Sequence, residues 1–100
     1  MNTREYIQSI SDIGLCLQTM IYNRYKKKTK PIYTHGRYKS LYITFYRSSH
    51  VFQFYVEDRA SNYMIYLLKN EKIVRKDVIH KRESIERFYI RMSHFFHIIN

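Results

Sequence analysis

Between Tyr22 and Ser40 the chain carries Arg24, Lys26, Lys27, Lys28, Lys30, Arg37 and Lys39, seven cations without one acid. Tyr22, Tyr25, Tyr33 and Tyr38 are set among them. Cations at this density neutralise phosphates, and each such contact releases condensed counterions. Tyrosine rings stack on unpaired bases, and their hydroxyls reach phosphate oxygens. Arg24, Tyr25, Lys26, Lys27, Lys28, Lys30, Tyr33, Arg37, Tyr38 and Lys39 therefore form the candidate nucleic-acid-binding set. The competing explanation is a solvated loop whose lysines complement the negative end of a preceding helix.

A second set lies just beyond. In SLYITFYR and VFQFYVE, alternation puts Tyr42, Thr44, Tyr46, Gln53 and Tyr55 on the less apolar side of two strands. Such a face serves as a stacking platform for bases, as simple cross-strand tyrosine packing, or as a partner or dimer surface, where tyrosine is enriched. A third set is catalytic in type: His35, Arg37, Tyr46 and His50 are the residues a metal-free ribonuclease would need as base, acid and cation around a phosphodiester. His94 and His97, three apart near the end of the chain, have no carboxylate or cysteine beside them in sequence to complete a metal site. No nucleophile elbow, P-loop, H-E-x-x-H or C-x-x-C occurs. The sequence thus points to a binding protein and not an enzyme, with no cofactor and no metal.

The totals bound the frame in which these residues act. One hundred residues, 45% of them hydrophobic, suffice for a single domain spanning 1–100 with a core of its own. Net charge is +10, of which the Tyr22–Ser40 stretch holds +7, so the positive field is local. A local positive field suits a polyanion or an acidic protein surface. Cys16 is the single cysteine, read as an inert, partly buried thiol on a helix, and no intramolecular disulfide can form. There is no apolar leader and no apolar run of membrane-spanning length, so the expectation is a cytoplasmic protein that does not insert in a membrane. Phe, Tyr, Met, Ile, Asn and Lys fill 48 positions, the residue usage of an AT-rich genome, which fits a virus or mobile element and equally a low-GC cell.

The elements that position these residues follow from periodicity. Asn2-Thr3-Arg4-Glu5 has capping-box spacing, and Tyr6, Ile7, Ile10, Ile13, Leu17, Met20 and Ile21 then share one helical side, predicting a helix over about 3–25. Gly14 on that side permits close approach of another element, while Leu15 and Tyr22 lie opposite. The KKKTKP run ends the helix and Gly36 marks a turn. From Lys39 the period is two, giving four strands separated by turns at Ser48-Ser49-His50, Glu57–Asn62 and Lys69-Asn70-Glu71. Ile85, Phe88, Met92, Phe95 and Ile99 restore helical spacing, predicting a helix from about Lys81 or Ser84 to Ile98. The expected class is α+β: an N-terminal helix, a four-stranded antiparallel meander and a C-terminal helix, both helices on one face of the sheet.

The function expected from these residues is a small basic nucleic-acid-binding protein, DNA or RNA, acting through the 24–39 segment. The alternatives are a small viral protein that binds and inhibits an acidic host protein, and the ribonuclease. The sticky tyrosine face also suggests a homodimer.

Overall fold

The computed structural model describes residues 5–100. Helix α1 (Ile10–Tyr25) leads into strands β1 (Ile32–His35), β2 (Lys39–Arg47), β3 (His50–Asp58), β4 (Asn62–Lys69) and β5 (Lys72–His80), and helix α2 (Ile85–Ile99) follows. The strands form one sheet in the order β1-β2-β3-β4-β5, every neighbouring pair antiparallel. The class is α+β, as expected, but the sheet has five strands and not four.

The additional strand, β1, lies inside the basic segment. It pairs Tyr33 with Leu41 and Thr34 with Ser40, and Gly36 turns the chain back, its amide donating to the Tyr38 carbonyl at 3.2 Å. Its four side chains are all exposed, so no alternation of burial marks it. Gly14 has the role foreseen for it. A Cβ there would stand 2.9 Å from the Tyr33 hydroxyl and 3.3 Å from Leu41, so the glycine lets the β1–β2 edge close onto α1.

Helix α1 begins later than its apolar period suggests. Ser9 is the N-cap, its hydroxyl accepting from the Asp12 amide at 3.4 Å, while the Asp12 carboxylate accepts from the Gln8 amide at 2.8 Å. That reciprocal pair satisfies two amides at the helix start. Ile7 is fully buried, yet in an extended segment: its amide donates to the Glu83 carbonyl at 2.8 Å, and the Ile85 amide donates to the Glu5 carbonyl at 2.9 Å. An apolar side chain can be buried from either backbone, which is why the period overran the true start. The proposed box at residues 2–5 falls almost wholly outside the described residues. The helix ends at Lys26 in the left-handed region (φ 57°), its amide donating to the Tyr22 carbonyl.

One face of the sheet is the core. Leu41, Ile43 and Phe45 of β2, Phe52, Phe54 and Val56 of β3, and Tyr63, Ile65 and Leu67 of β4 are buried beneath both helices. Phe54 meets Phe95 and Phe96 of α2 at 6.1 and 5.6 Å between ring centroids, and Tyr25 of α1 stacks on Phe45 at 5.8 Å. Two tight hairpins join β2 to β3 and β4 to β5 through positive-φ pairs, Ser48-Ser49 and Asn70-Glu71, the geometry that matches strand twist. A register shift at Leu67/Leu68 leaves Val74 unpaired. It turns Ile73 to the face away from the helices and Arg75 towards them, where its guanidinium sits 5.2 Å from the Phe95 ring. No helix among the described residues is long and apolar enough to cross a membrane.

Candidate nucleic-acid interface

The basic segment does not form one patch. After Lys26 the chain runs back along α1, held by the Gln18 side-chain amide donating to the Thr29 carbonyl at 2.7 Å. Lys27 and Lys28 line a recess of about 430 Å³ with Gln18, Tyr22 and Asn23, and the Lys26 ammonium lies 5.3 Å from the Tyr22 ring. Arg37, Tyr38 and Lys39 stand beyond β1, where the guanidiniums of Arg37 and Arg59 approach the Tyr38 ring at 5.7 and 5.1 Å.

The charges of the segment share one property. Among the described residues the ion pairs are Arg59–Glu57, Lys81–Asp58, Arg91–Asp77 and Arg91–Glu83. None includes Arg24, Lys26, Lys27, Lys28, Lys30, Arg37 or Lys39, and all seven are exposed.

The tyrosines of the segment divide. Tyr25 is not free to stack on a base. Its ring lies on Phe45, meets Phe96 at 6.1 Å and carries the Arg47 guanidinium at 4.3 Å, and its hydroxyl donates to Asn100 Oδ1 at 2.7 Å. Burial pushes its phenol above the usual range, partly offset by Arg47 and Arg24 nearby. The Tyr33 hydroxyl rests against α1 at Gly14, with half of the residue exposed. Tyr38, between two arginines, is half-buried. The last turn of α1 favours cations by its dipole, and Arg24 sits there over the Phe96 ring at 4.8 Å.

No helix among the described residues covers the face of the sheet away from α1 and α2. Tyr42 and Tyr55 stack at 4.6 Å, and Tyr66 of β4 continues the row at 5.6 Å from Tyr55. Their ring faces lie on one another, which is cross-strand packing, one of the three readings given for Tyr42 and Tyr55, so the row offers ring edges and hydroxyls outward. Gln53 donates to the Thr44 hydroxyl at 3.1 Å, and Tyr46 stands out at 68% exposure. The Tyr55 hydroxyl donates to Glu57 at 2.9 Å and lies 3.3 Å from the Ser40 hydroxyl. Burial raises its phenol; the Ser40 contact opposes that rise and Glu57 adds to it. Glu57 in turn accepts from Arg59 at 2.6 and 3.1 Å. The five predicted face residues thus do share one surface.

Sequence reasoning missed Tyr66, Glu57, Arg59 and Arg47. Tyr66 was legible, since Met64, Tyr66 and Leu68 share a parity in β4, but apolar residues on both sides of that strand hid it. Arg59 reaches Tyr38 only through the β2–β3 register, which no local pattern reveals.

The ribonuclease set is not assembled. His35 pairs with Lys39 and His50 with Arg47, eight residues apart on β2, a separation of about 27 Å along a strand. His94 and His97 are exposed on α2, and no group of three or more His, Cys, Asp or Glu among the described residues is placed to hold a metal. Cys16 is buried. Compared with known protein families, curated proteins and solved structures, the chain matches none.

Proposed function

We propose that this protein is a small nucleic-acid-binding module that holds phosphates with Arg24, Lys26, Lys27, Lys28, Lys30, Arg37 and Lys39. The observation that carries the reading is the exposure of these seven cations without an acid partner, while half of the protein's eight acids are paired with other cations. Holding like charges together without counter-charge is unfavourable, and a polyanion removes that cost while releasing its own counterions. The reading is of a binding protein; the separation of His35 from His50 leaves the acid–base pair of a nuclease unbuilt. Contacts to phosphate position a protein without reading sequence, so specificity is expected to be weak.

Fluorescence anisotropy with labelled oligonucleotides over a salt series tests this. About five phosphate contacts give a log–log slope of about −3.5 on single strands and about −4.5 on duplex. Lys26→Glu/Lys27→Glu/Lys28→Glu should flatten the slope by about 2 to 3 and weaken binding at least about 100-fold. Equal binding by wild type and variant would remove the reading.

A second reading is supported by its own observation. Tyr22, 44% exposed on α1, lines a recess with Lys27 and Lys28, and Leu15, 51% exposed, lines a neighbouring recess that shares Thr19 with it. Apolar residues beside cations suit an acidic protein partner, the mode of a viral inhibitor of a host factor. Leu15→Glu would then abolish capture of that partner in nuclease-treated extract and leave oligonucleotide binding intact.

A further inference from the structure

Two recesses run across the face of the sheet away from the helices, and they differ in chemistry. One, of about 450 Å³, is lined by Thr34, Arg37, Tyr38, Ser40, Glu57 and Arg59. It presents hydroxyls, a carboxylate and two guanidiniums. The other, of about 540 Å³, is lined by Tyr42, Gln53, Tyr55, Tyr66, Leu68, Glu71 and Ile73. It presents mainly ring edges and aliphatic carbon, with one amide and one carboxylate. Tyr42 and Tyr55 border both, so the two adjoin as a trough crossed by that tyrosine pair. Each half is within the size range of small-molecule sites.

We infer that an unpaired nucleic-acid strand lies along this trough, one base edge in the polar half and the next base against the apolar half. The inference rests on the nucleic-acid reading above and specifies the form of the ligand. A single strand presents base edges, base faces and phosphates together, whereas a duplex buries its base faces. The trough supplies partners for all three. The exposed Thr34 hydroxyl and Arg37 guanidinium suit the acceptors of a base edge, whereas Ser40 is buried and Glu57 is held by Arg59 and Tyr55. Leu68 and Ile73 suit a base face, with Ile73 59% exposed and no described residue covering it. Arg37 and Lys76 stand exposed at its two flanks outside any ion pair among the described residues, Lys76 opposite Tyr66 on β5. The charge is wrong for a second copy: face-to-face pairing would bring these rim cations together between two chains of net charge +10.

The test compares labelled oligo-uridine, oligo-thymidine and a duplex of equal length by anisotropy, for wild type, Ile73→Glu and Thr34→Glu, one in each half of the trough. Both substitutions fall at exposed positions of the sheet face, and unchanged thermal unfolding confirms that they fold. Wild type is expected to prefer the single strands at least about 10-fold, and each variant to lose about 10-fold on single strands with duplex binding unchanged, the scale of one displaced base. Equal affinity for duplex and single strands, unaffected by either variant while the Lys26/Lys27/Lys28 variant loses both, overturns the trough and leaves the phosphate reading standing. No binding by wild type overturns both. If Ile73→Glu alters the sedimentation mass and not the affinity, the face belongs to a second copy and the inference falls.

Discussion

Glu57, Asp58, Asp77 and Glu83 each meet an arginine or lysine, whereas the cations between Arg24 and Lys39 meet aromatic rings or solvent. The paired set sits where elements join. Lys81 ties the chain before α2 to the end of β3 through Asp58, and Arg91 joins α2 to β5 through Asp77 and to the chain before α2 through Glu83. The unpaired set joins no two elements by an ion pair among the described residues, and only Arg24 reaches across, to the Phe96 ring of α2. Charges that maintain a fold are neutralised within it, and charges left over are available to something outside.

Substitutions sharpen this contrast. The largest effect is expected at Arg91. The side chain of Glu83 is 3% exposed and relies on Arg91 Nε at 2.6 Å, so Arg91→Ala leaves a carboxylate buried without its partner. Chemical denaturation should show a loss of about 3 kcal/mol. Alkaline pH should act next, through the buried and half-buried tyrosines. Tyr25, Tyr55, Tyr63 and Tyr89 all have phenols raised above 10.0, in each case chiefly by burial. A group raised in the folded state stabilises it fully below the unfolded value and ceases to as pH climbs through the folded one. Unfolding midpoints should therefore hold steady up to about pH 10 and fall above it, in step with delayed phenolate absorbance. Midpoints already falling below that pH would place the cause elsewhere.

Glu71→Gly should have a smaller effect of opposite sign. Glu71 holds φ 71°, a conformation that costs an L-residue about 1 kcal/mol or more, so glycine should stabilise the hairpin by about 1 kcal/mol in the same assay. Smallest of all is Lys27→Ala, exposed and unpaired, whose stability should stay within about 0.5 kcal/mol of wild type. A clear loss there would mean that the basic run supports the fold and would break the contrast.

Much of this arrangement is legible in the residues themselves. Strands β2 and β3 are visible because each buries one side only, so Leu41, Ile43 and Phe45 alternate with Tyr42, Thr44 and Tyr46. Helix α2 is visible because its apolar residues step by three and four. Strand β1 is not, since an edge strand with four exposed side chains leaves no periodic trace, and the surrounding lysines read as loop. The start of α1 was misplaced because Ile7 buries itself without being helical. Of the candidate surface, the two tyrosine-bearing strands could be aligned from alternation. The Arg37–Tyr38–Arg59 cluster could not, because it depends on which residue of β3 falls opposite Lys39.

The bridge between Tyr6 and Ser84 bears on the order in which the molecule assembles. Each strand pairs with its neighbour along the chain, so the sheet can grow by successive hairpin closures with little loop entropy to overcome. The segment before α1 waits for residues from the far side of the chain, through the bonds from Ile7 to Glu83 and from Ile85 to Glu5, as the end of α1 waits for Phe96 and Asn100. It acts as a latch. During refolding, the amides of β2 and β3 should gain protection from exchange first and those of Ile7 and Ile85 last, marking the moment when the two ends of the domain lock together.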